Sequence, residues 1–214
     1  MPPFQTILFD LDGTLVDAFT TIHRSYQHTL PRFGRPVPTL AEVRRAVGGG
    51  LANAMGHFLP PQLIPEAMAI HLAYSDQILL EDVTLLPGAA ELLRRLQARG
   101  VKSAVLTNKL GDAARRICAH LGVAPLLQGI YGAGDTPWLK PRREFTDHVL
   151  RELGADAATA LLIGDSPFDV ETARLGGFPC WCVTTGTHTA DELAFAHADR
   201  VFPDLSALAA ALLH

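Results

Sequence analysis

Apolar and polar positions fall into two regimes along this chain. From about Pro87 onward, short apolar runs of strand length alternate with stretches of helical period. Lys102 to Thr107, Gly129 to Gly132, Ala160 to Ile163, Trp181 to Val183 and Arg200 to Phe202 read as strands. Between them, about Asp112 to Leu121, Glu144 to Leu153 and Phe168 to Leu175 read as helices, and Leu205 to Leu213 closes with another. That alternation predicts a parallel sheet with helices on both faces. Near the start, the apolar run Ile7 to Phe9 adds a further buried strand, which stops at Asp10.

From about Ala18 to Leu85 the pattern is different. Apolar residues recur at helical spacing, as at Leu63, Ala67, Ile70, Leu72 and Tyr74, and no strand is predicted. Gly34, Pro36, Pro38, Gly48-Gly49-Gly50 and Pro60-Pro61 mark turns. The expected architecture is α/β, a Rossmann-like parallel sheet core with helices on both faces, plus an inserted helical cap domain. Residues 1–17 and 85–214 would form the core and residues 18–84 the cap. The crossings near Asp17 to Thr20 and Thr84 to Pro87 read as linkers. Pro87-Gly88 then opens a helix from Ala89 to Arg99 that Gly100 ends.

Composition adds exclusions. At 48% apolar and 19% charged residues, the chain reads as globular. Its formal net charge of −4 gives no basic excess for a nucleic-acid backbone, so a polynucleotide partner is not expected. Apolar stretches such as Leu205 to Leu213 fall short of the roughly 20 residues a membrane helix needs. The start, Met1-Pro2-Pro3-Phe4-Gln5, shows neither a basic nor an apolar leader region, and the expected location is the cytoplasm. Three cysteines make a poor disulfide framework. In a strand, Cys180 and Cys182 would share one face, as packing residues. The nine histidines lack a metal-binding spacing and read as surface or packing residues.

Four polar clusters close predicted strands or follow them: Asp10 to Asp17, Thr107-Asn108-Lys109, Lys140-Pro141, and Gly164-Asp165-Ser166-Pro167-Phe168-Asp169. A parallel sheet gathers its strand ends on one edge, so these distant residues are expected in one crevice. Two acids as close as Asp10 and Asp12 repel each other unless a cation or proton lies between them. That suggests a Mg²⁺ site beside a carboxylate nucleophile.

The same residues carry a resemblance. Asp10-Leu11-Asp12-Gly13-Thr14-Leu15-Val16-Asp17 resembles the first motif of haloacid dehalogenase (HAD) superfamily phosphatases. Thr107-Asn108, Lys140 and the segment Gly164 to Asp169 resemble the second, third and fourth, in the family's order. Pro87-Gly88-Ala89-Ala90-Glu91-Leu92-Leu93 resembles the segment that re-enters the core after a cap. The resemblance implies that Asp10 attacks phosphorus to form an aspartyl-phosphate and that Asp12 shuttles the proton. It implies Mg²⁺ held by Asp10, the Asp12 carbonyl and Asp165, with Asp169 behind them. It also implies Thr107, Asn108 and Lys140 as phosphate-binding residues.

Thr14 and Thr107-Asn108-Lys109 look most like the phosphoglycolate phosphatase branch, and Asp12 is absent from true dehalogenases. The implied partner is a small phosphorylated metabolite, with the chain acting as a monomer or homodimer. The alternatives are a sugar phosphotransferase or phosphomutase of the same superfamily, and a non-catalytic phosphate-binding module. Substrate choice is expected in the cap, with Arg44, Arg45, Gly48, Gly49, Gly50, Asn53 and His57 as candidates. Asp17 reads equally as a cap of the insert's first helix or as a site residue. Where relatives carry Lys-Pro-x-Pro, this chain reads Lys140-Pro141-Arg142-Arg143; the two arginines read as solvated, with contact to a substrate or another subunit as the alternative.

Overall fold

The computed structural model describes residues 4–213. Met1-Pro2-Pro3, on which part of the leader expectation rests, lies outside the described residues. Six strands form one parallel sheet: β1 (Thr6–Phe9), β4 (Lys102–Leu110), β5 (Gly129–Ala133), β6 (Ala160–Gly164), β7 (Cys180–Val183) and β8 (Arg200–Phe202). Their order is β5-β4-β1-β6-β7-β8, so β1 lies near the centre and successive strands are added outward from it first on one side and then on the other. Every adjacent pair in this sheet is parallel.

Parallel sheets need cover on both faces, and alternation along each strand supplies it. Ile7 and Phe9 of β1 pack on one face and Leu8 on the other. The first face is covered by α5 (Ala89–Ala98), α6 (Gly111–His120) and α10 (Leu205–Leu212), through residues such as Leu92, Ile117 and Leu208. The second is covered by α7 (Arg143–Glu152), α8 (Pro167–Gly176) and α9 (Ala190–Phe195), through Phe145, Val170 and Leu193. Cys180 and Cys182 do share a face, their sulfurs 3.7 Å apart in the second cluster, while Trp181 packs into the first.

Between β2 (Val16–Asp17) and β3 (Thr84–Leu85) lie four helices: α1 (Phe19–Thr29), α2 (Leu40–Ala46), α3 (Leu51–Gly56) and α4 (Ile64–Ile78). They enclose a separate apolar cluster that includes Tyr26, Leu30, Val43, Met55 and Ala67. The two crossings, expected as plain linkers, pair as an antiparallel ribbon, Val16 with Leu85 and Asp17 with Thr84. Two-residue strands are too short to show a period, which is why the pattern missed them. Among the described residues no helix is long and apolar enough to cross a membrane.

Candidate active site

Strand β1 delivers the first carboxylate. The Asp10 amide donates to the Ile163 carbonyl at 2.9 Å, carrying the strand one residue further to the sheet's carboxyl edge. The chain then closes a tight loop: the Leu15 and Val16 amides both donate to the Leu11 carbonyl at 3.0 Å. Gly13 sits at φ +89°, and a Cβ there would stand 2.8 Å from Asp165 Oδ2, so the turn requires glycine twice over. Asp10 and Asp12 end up 5% and 7% exposed on the same floor.

Strand β6 and the start of α8 bring the next two acids. Asp169 Oδ2 accepts from the Asp165 amide (3.2 Å), the Ser166 amide (3.1 Å) and the Ser166 hydroxyl (2.6 Å), while Ser166 caps the helix in return. Asp165 Oδ1 accepts from the Thr14 hydroxyl at 3.1 Å, and its Oδ2 from the Thr187 amide (2.8 Å) and hydroxyl (2.9 Å). The Lys140 ammonium lies 2.9 Å from Asp10 Oδ1 and 2.7 Å from Asp169 Oδ1. Carboxylate oxygens of Asp10, Asp165 and Asp169 all lie within 4.8 Å of one another.

One ammonium serves a cluster of three buried carboxylates and pairs with two of them, Asp10 and Asp169, and the electrostatics follow. Burial pushes Asp10 up to about 6; Lys140 pulls it down and Asp169 pushes it further up. Asp165 is raised to about 8, first by burial and then by the charges of Asp10 and Asp169, against the Thr187 hydrogen bonds. Burial alone would lower Lys140, but Asp10 and Asp169 overcome it and hold the ammonium above its ordinary range. At Asp10 the cost of burial exceeds the help of a shared lysine. The cluster is therefore short of positive charge, and its donors are all hard oxygens. That donor set fits a divalent cation such as Mg²⁺.

Asp12 stands apart from this group. Its Oδ2 accepts from the Lys109 ammonium at 2.8 Å, and its Oδ1 is buried without a hydrogen-bond partner. Thr107, Asn108 and Lys109 lie where the β4–β5 register shifts, between Leu106 and Leu110. The Asn108 side chain binds the Lys140 backbone both ways, at 2.8 and 3.1 Å, and donates to the Gly48 carbonyl at 2.9 Å. It thereby fastens two strand-end loops of the sheet to the glycine loop of the helical insert. Asp10, Asp12, Thr107 and Asn108 all line one cavity between sheet edge and insert.

The residues expected to select substrate in the insert are only partly there. Gly48, Gly49 and Gly50 line the cavity. Gly48 and Gly49 also approach Phe168 of α8 too closely to admit a larger side chain without movement. Asn53 packs beside Gly49, and Asn53 and His57 are exposed, outside the cavity wall. Arg44 and Arg45 point elsewhere, a correction to the expected substrate contact. Arg45 makes a two-pronged bond to Glu192 (2.7 and 2.9 Å) and donates to the Thr187 carbonyl. Arg44 lies 3.9 Å from Asp17 and over the Phe19 ring. Both face acids and carbonyls, which claim a guanidinium before any ligand does. Asp17 Oδ1 accepts from the Phe19 amide at 3.1 Å, the helix-start role. Arg142 is exposed, and Arg143 pairs with Asp147 one turn along its helix.

Two residues escaped the sequence reading. Thr187 holds Asp165 from the loop after β7; a polar Thr-Thr-Gly-Thr run closing a strand was the available signal. His71, grouped with the other histidines, is 5% exposed and lines the cavity. Gly186, in the same loop as Thr187, touches Asp165 so closely that a Cβ would overlap its carboxylate. Gly186→Ala should cost about 1–3 kcal/mol of stability, as overpacking does. Urea unfolding reads this, and an unchanged midpoint would contradict the packing described.

Comparison with known proteins bears on this constellation. The haloacid dehalogenase-like hydrolase family matches residues 7–183, and the chain belongs to it. It is 33% identical to a phosphoglycolate phosphatase of Rhodobacter capsulatus, over 94% of both chains. It is 30% identical to one of Pseudomonas savastanoi pv. phaseolicola, over 95% of this chain and 78% of that one. A haloacid dehalogenase-like family hydrolase from Streptococcus pneumoniae superposes with a TM-score of 0.88 at 27% identity, over 97% of this chain and 98% of that one. Within its family, the protein is a phosphatase of the phosphoglycolate phosphatase-like kind.

Proposed function

We propose that the protein hydrolyses small phosphomonoesters, with Asp10 as nucleophile and Mg²⁺ as cofactor, and that residues 18–84 act as a cap over a core of 1–17 and 85–214. The observation that carries this is the shared floor: Asp10, Asp12, Thr107 and Asn108 line one cavity, with Lys140 behind Asp10. Asp10 in its ionised form is a ready nucleophile that needs no base. Lys140 fixes its Oδ1 and leaves the other oxygen for attack. Asp12 gives a proton to the leaving oxygen and later takes one from water. Its Oδ1 carries no competing hydrogen bond, though it lies buried behind the cavity surface, and Lys109 holds the other oxygen. Thr107 and Asn108 steady the phosphoryl oxygens, so that positioning and charge supply most of the rate.

Asp10, the Asp12 carbonyl and Asp165 would hold Mg²⁺, with Asp169 orienting the group. Bound there, the ion neutralises charge on the transferring phosphoryl group. The test is hydrolysis of p-nitrophenyl phosphate, and then of a panel of esters led by 2-phosphoglycolate, with and without EDTA. Turnover that survives full chelation would remove the metal from the account.

The raised carboxyls give the cation a pH signature. Unfolded, these groups ionise near 4; folded, Asp10 and Asp165 keep protons up to about 6 and 8. The folded state then binds more protons than the unfolded one, so their contribution to stability falls as pH rises across that window. A cation must displace those protons, and it replaces the missing positive charge. Saturating Mg²⁺ should therefore raise Tm more at pH 8 than at pH 6. An increment that is equal or smaller at pH 8 would contradict this reading.

A further inference from the structure

The loop after β7, Thr184 to Thr189, joins three parts of the molecule. On one side Thr187 holds Asp165, its amide and hydroxyl donating to Oδ2 at 2.8 and 2.9 Å. Toward the turn after β1, the Thr185 hydroxyl donates to the Gly13 carbonyl at 2.7 Å. From the insert, the last turn of α2 meets the loop through two arginines. Arg45 donates to the Thr187 carbonyl at 3.0 Å, and Arg44 reaches the Gly186 carbonyl at 3.5 Å.

Side chains set the shape of this loop. The Thr184 amide donates to the Phe202 carbonyl at 3.0 Å, and Thr189 opens α9 with a capping box to Glu192. Among the described residues, no backbone group of Thr185 to His188 pairs with another backbone group. A stretch without such bonds shifts at low cost unless something else pins it. Arg45 does so at both ends. Besides the Thr187 carbonyl it binds Glu192 with two prongs, at 2.7 and 2.9 Å, which fixes the plane of the guanidinium. Glu192 in turn accepts from the Thr189 amide and hydroxyl at 2.8 and 2.9 Å. The helix end that carries Arg45 then runs into Gly48-Gly49-Gly50, which lines the cavity over Asp10. One residue, Thr187, stands between this part of the insert and Asp165.

We propose that Arg45 is a positioning residue for the cation site: by holding the Thr187 carbonyl from the insert, it keeps the Thr187 amide and hydroxyl on Asp165, so that seating of the insert and binding of the cation strengthen each other. The inference rests on the reading of Asp165 as a Mg²⁺ ligand. Partners that orient a ligating carboxylate typically contribute about ten- to a hundredfold to metal affinity. Arg45 acts one residue further out, with its side chain half exposed, which places it at about fivefold, the low end of coupling between sites.

The test is the Mg²⁺ dissociation constant of the intact protein by isothermal titration calorimetry, without substrate. Arg45→Met should weaken Mg²⁺ binding about fivefold and Thr187→Val about tenfold. Loss of a positive charge would by itself favour a cation, so a weaker constant in Arg45→Met cannot come from charge alone. Both changes act on the same carboxylate, so the double variant should lose less than the product of the two. Reciprocally, saturating Mg²⁺ should slow hydrogen exchange of the α2 amides in the parent and not in Arg45→Met. Tm in EDTA separates this from a merely structural clamp, whose removal would lower Tm and leave the Mg²⁺ constant alone. If the parent binds Mg²⁺ and Arg45→Met binds it as tightly, or the two losses multiply, or α2 exchange in the parent ignores Mg²⁺, the coupling is overturned and the cation site stands. If the parent binds no Mg²⁺, both are overturned.

Discussion

Asp10→Asn should abolish turnover while leaving the fold intact. The amide keeps the shape of the side chain, so packing at the sheet edge is preserved. It cannot attack phosphorus, and loss of a nucleophile of this kind costs at least about 10⁴-fold in kcat. Stability should not fall with it. Asp10 is raised to about 6 because burial and Asp169 disfavour its charge more than Lys140 favours it. A neutral amide escapes that conflict, and Lys140 keeps Asp169 at 2.7 Å. The variant should therefore unfold at the same urea concentration as its parent at pH 7, or a higher one. Residual activity above about one hundredth of the parent's would exclude Asp10 as the nucleophile, on the scale set by nucleophile removal.

Lys140→Met should have the opposite character, with stability and activity lost together. The lysine side chain is 1% exposed between Asp10 and Asp169. Removing it leaves two buried carboxylates without their cation. Breaking a buried pair in this way typically costs about 3–5 kcal/mol, more than a cavity-filling methionine restores. The loss depends on pH. Without the ammonium, the folded pKa of Asp10 rises further above its unfolded value. Its stability contribution is then largest below about pH 4 and shrinks as pH rises through the folded value. The gap between parent and variant should be small near pH 4–5 and wide at pH 8. Adding Asp10→Asn to Lys140→Met should recover part of the stability and none of the activity. A gap that does not vary with pH would show that packing, not charge, is what Lys140 supplies.

Much of this fold was legible because long-range order rides on local pattern. The six sheet strands were readable because buried strands show as short apolar runs between turn signals, as in Leu161-Leu162-Ile163 before Gly164-Asp165. The β2–β3 ribbon was not, since Val16–Asp17 and Thr84–Leu85 are paired by the topology around them. The core cluster was legible because a parallel sheet must bring its strand ends together, which places Asp10, Thr107 and Asp165 on one edge. Arg44 and Arg45 show the limit of that logic. Both lie near a glycine loop that approaches the site, yet Glu192, Asp17 and the Thr187 carbonyl claim them. Charge partners across the insert and the core are set by how the two pack, and no local pattern encodes that. His71 is the converse case. Only its place on α4, facing Tyr26, turns an ordinary helical histidine into part of a cavity wall.

The central claim is that the phosphoryl group passes through Asp10, and trapping it there is the most direct test. Enzyme quenched in acid during turnover of acetyl phosphate, reduced with borohydride and mapped by peptide mass spectrometry, reports which carboxylate was phosphorylated. Reduction turns an aspartyl-phosphate into homoserine. The account predicts homoserine at position 10, dependent on substrate and absent in Asp10→Asn. Homoserine at position 12, 165 or 169, or brisk turnover with no modified carboxylate, would contradict it.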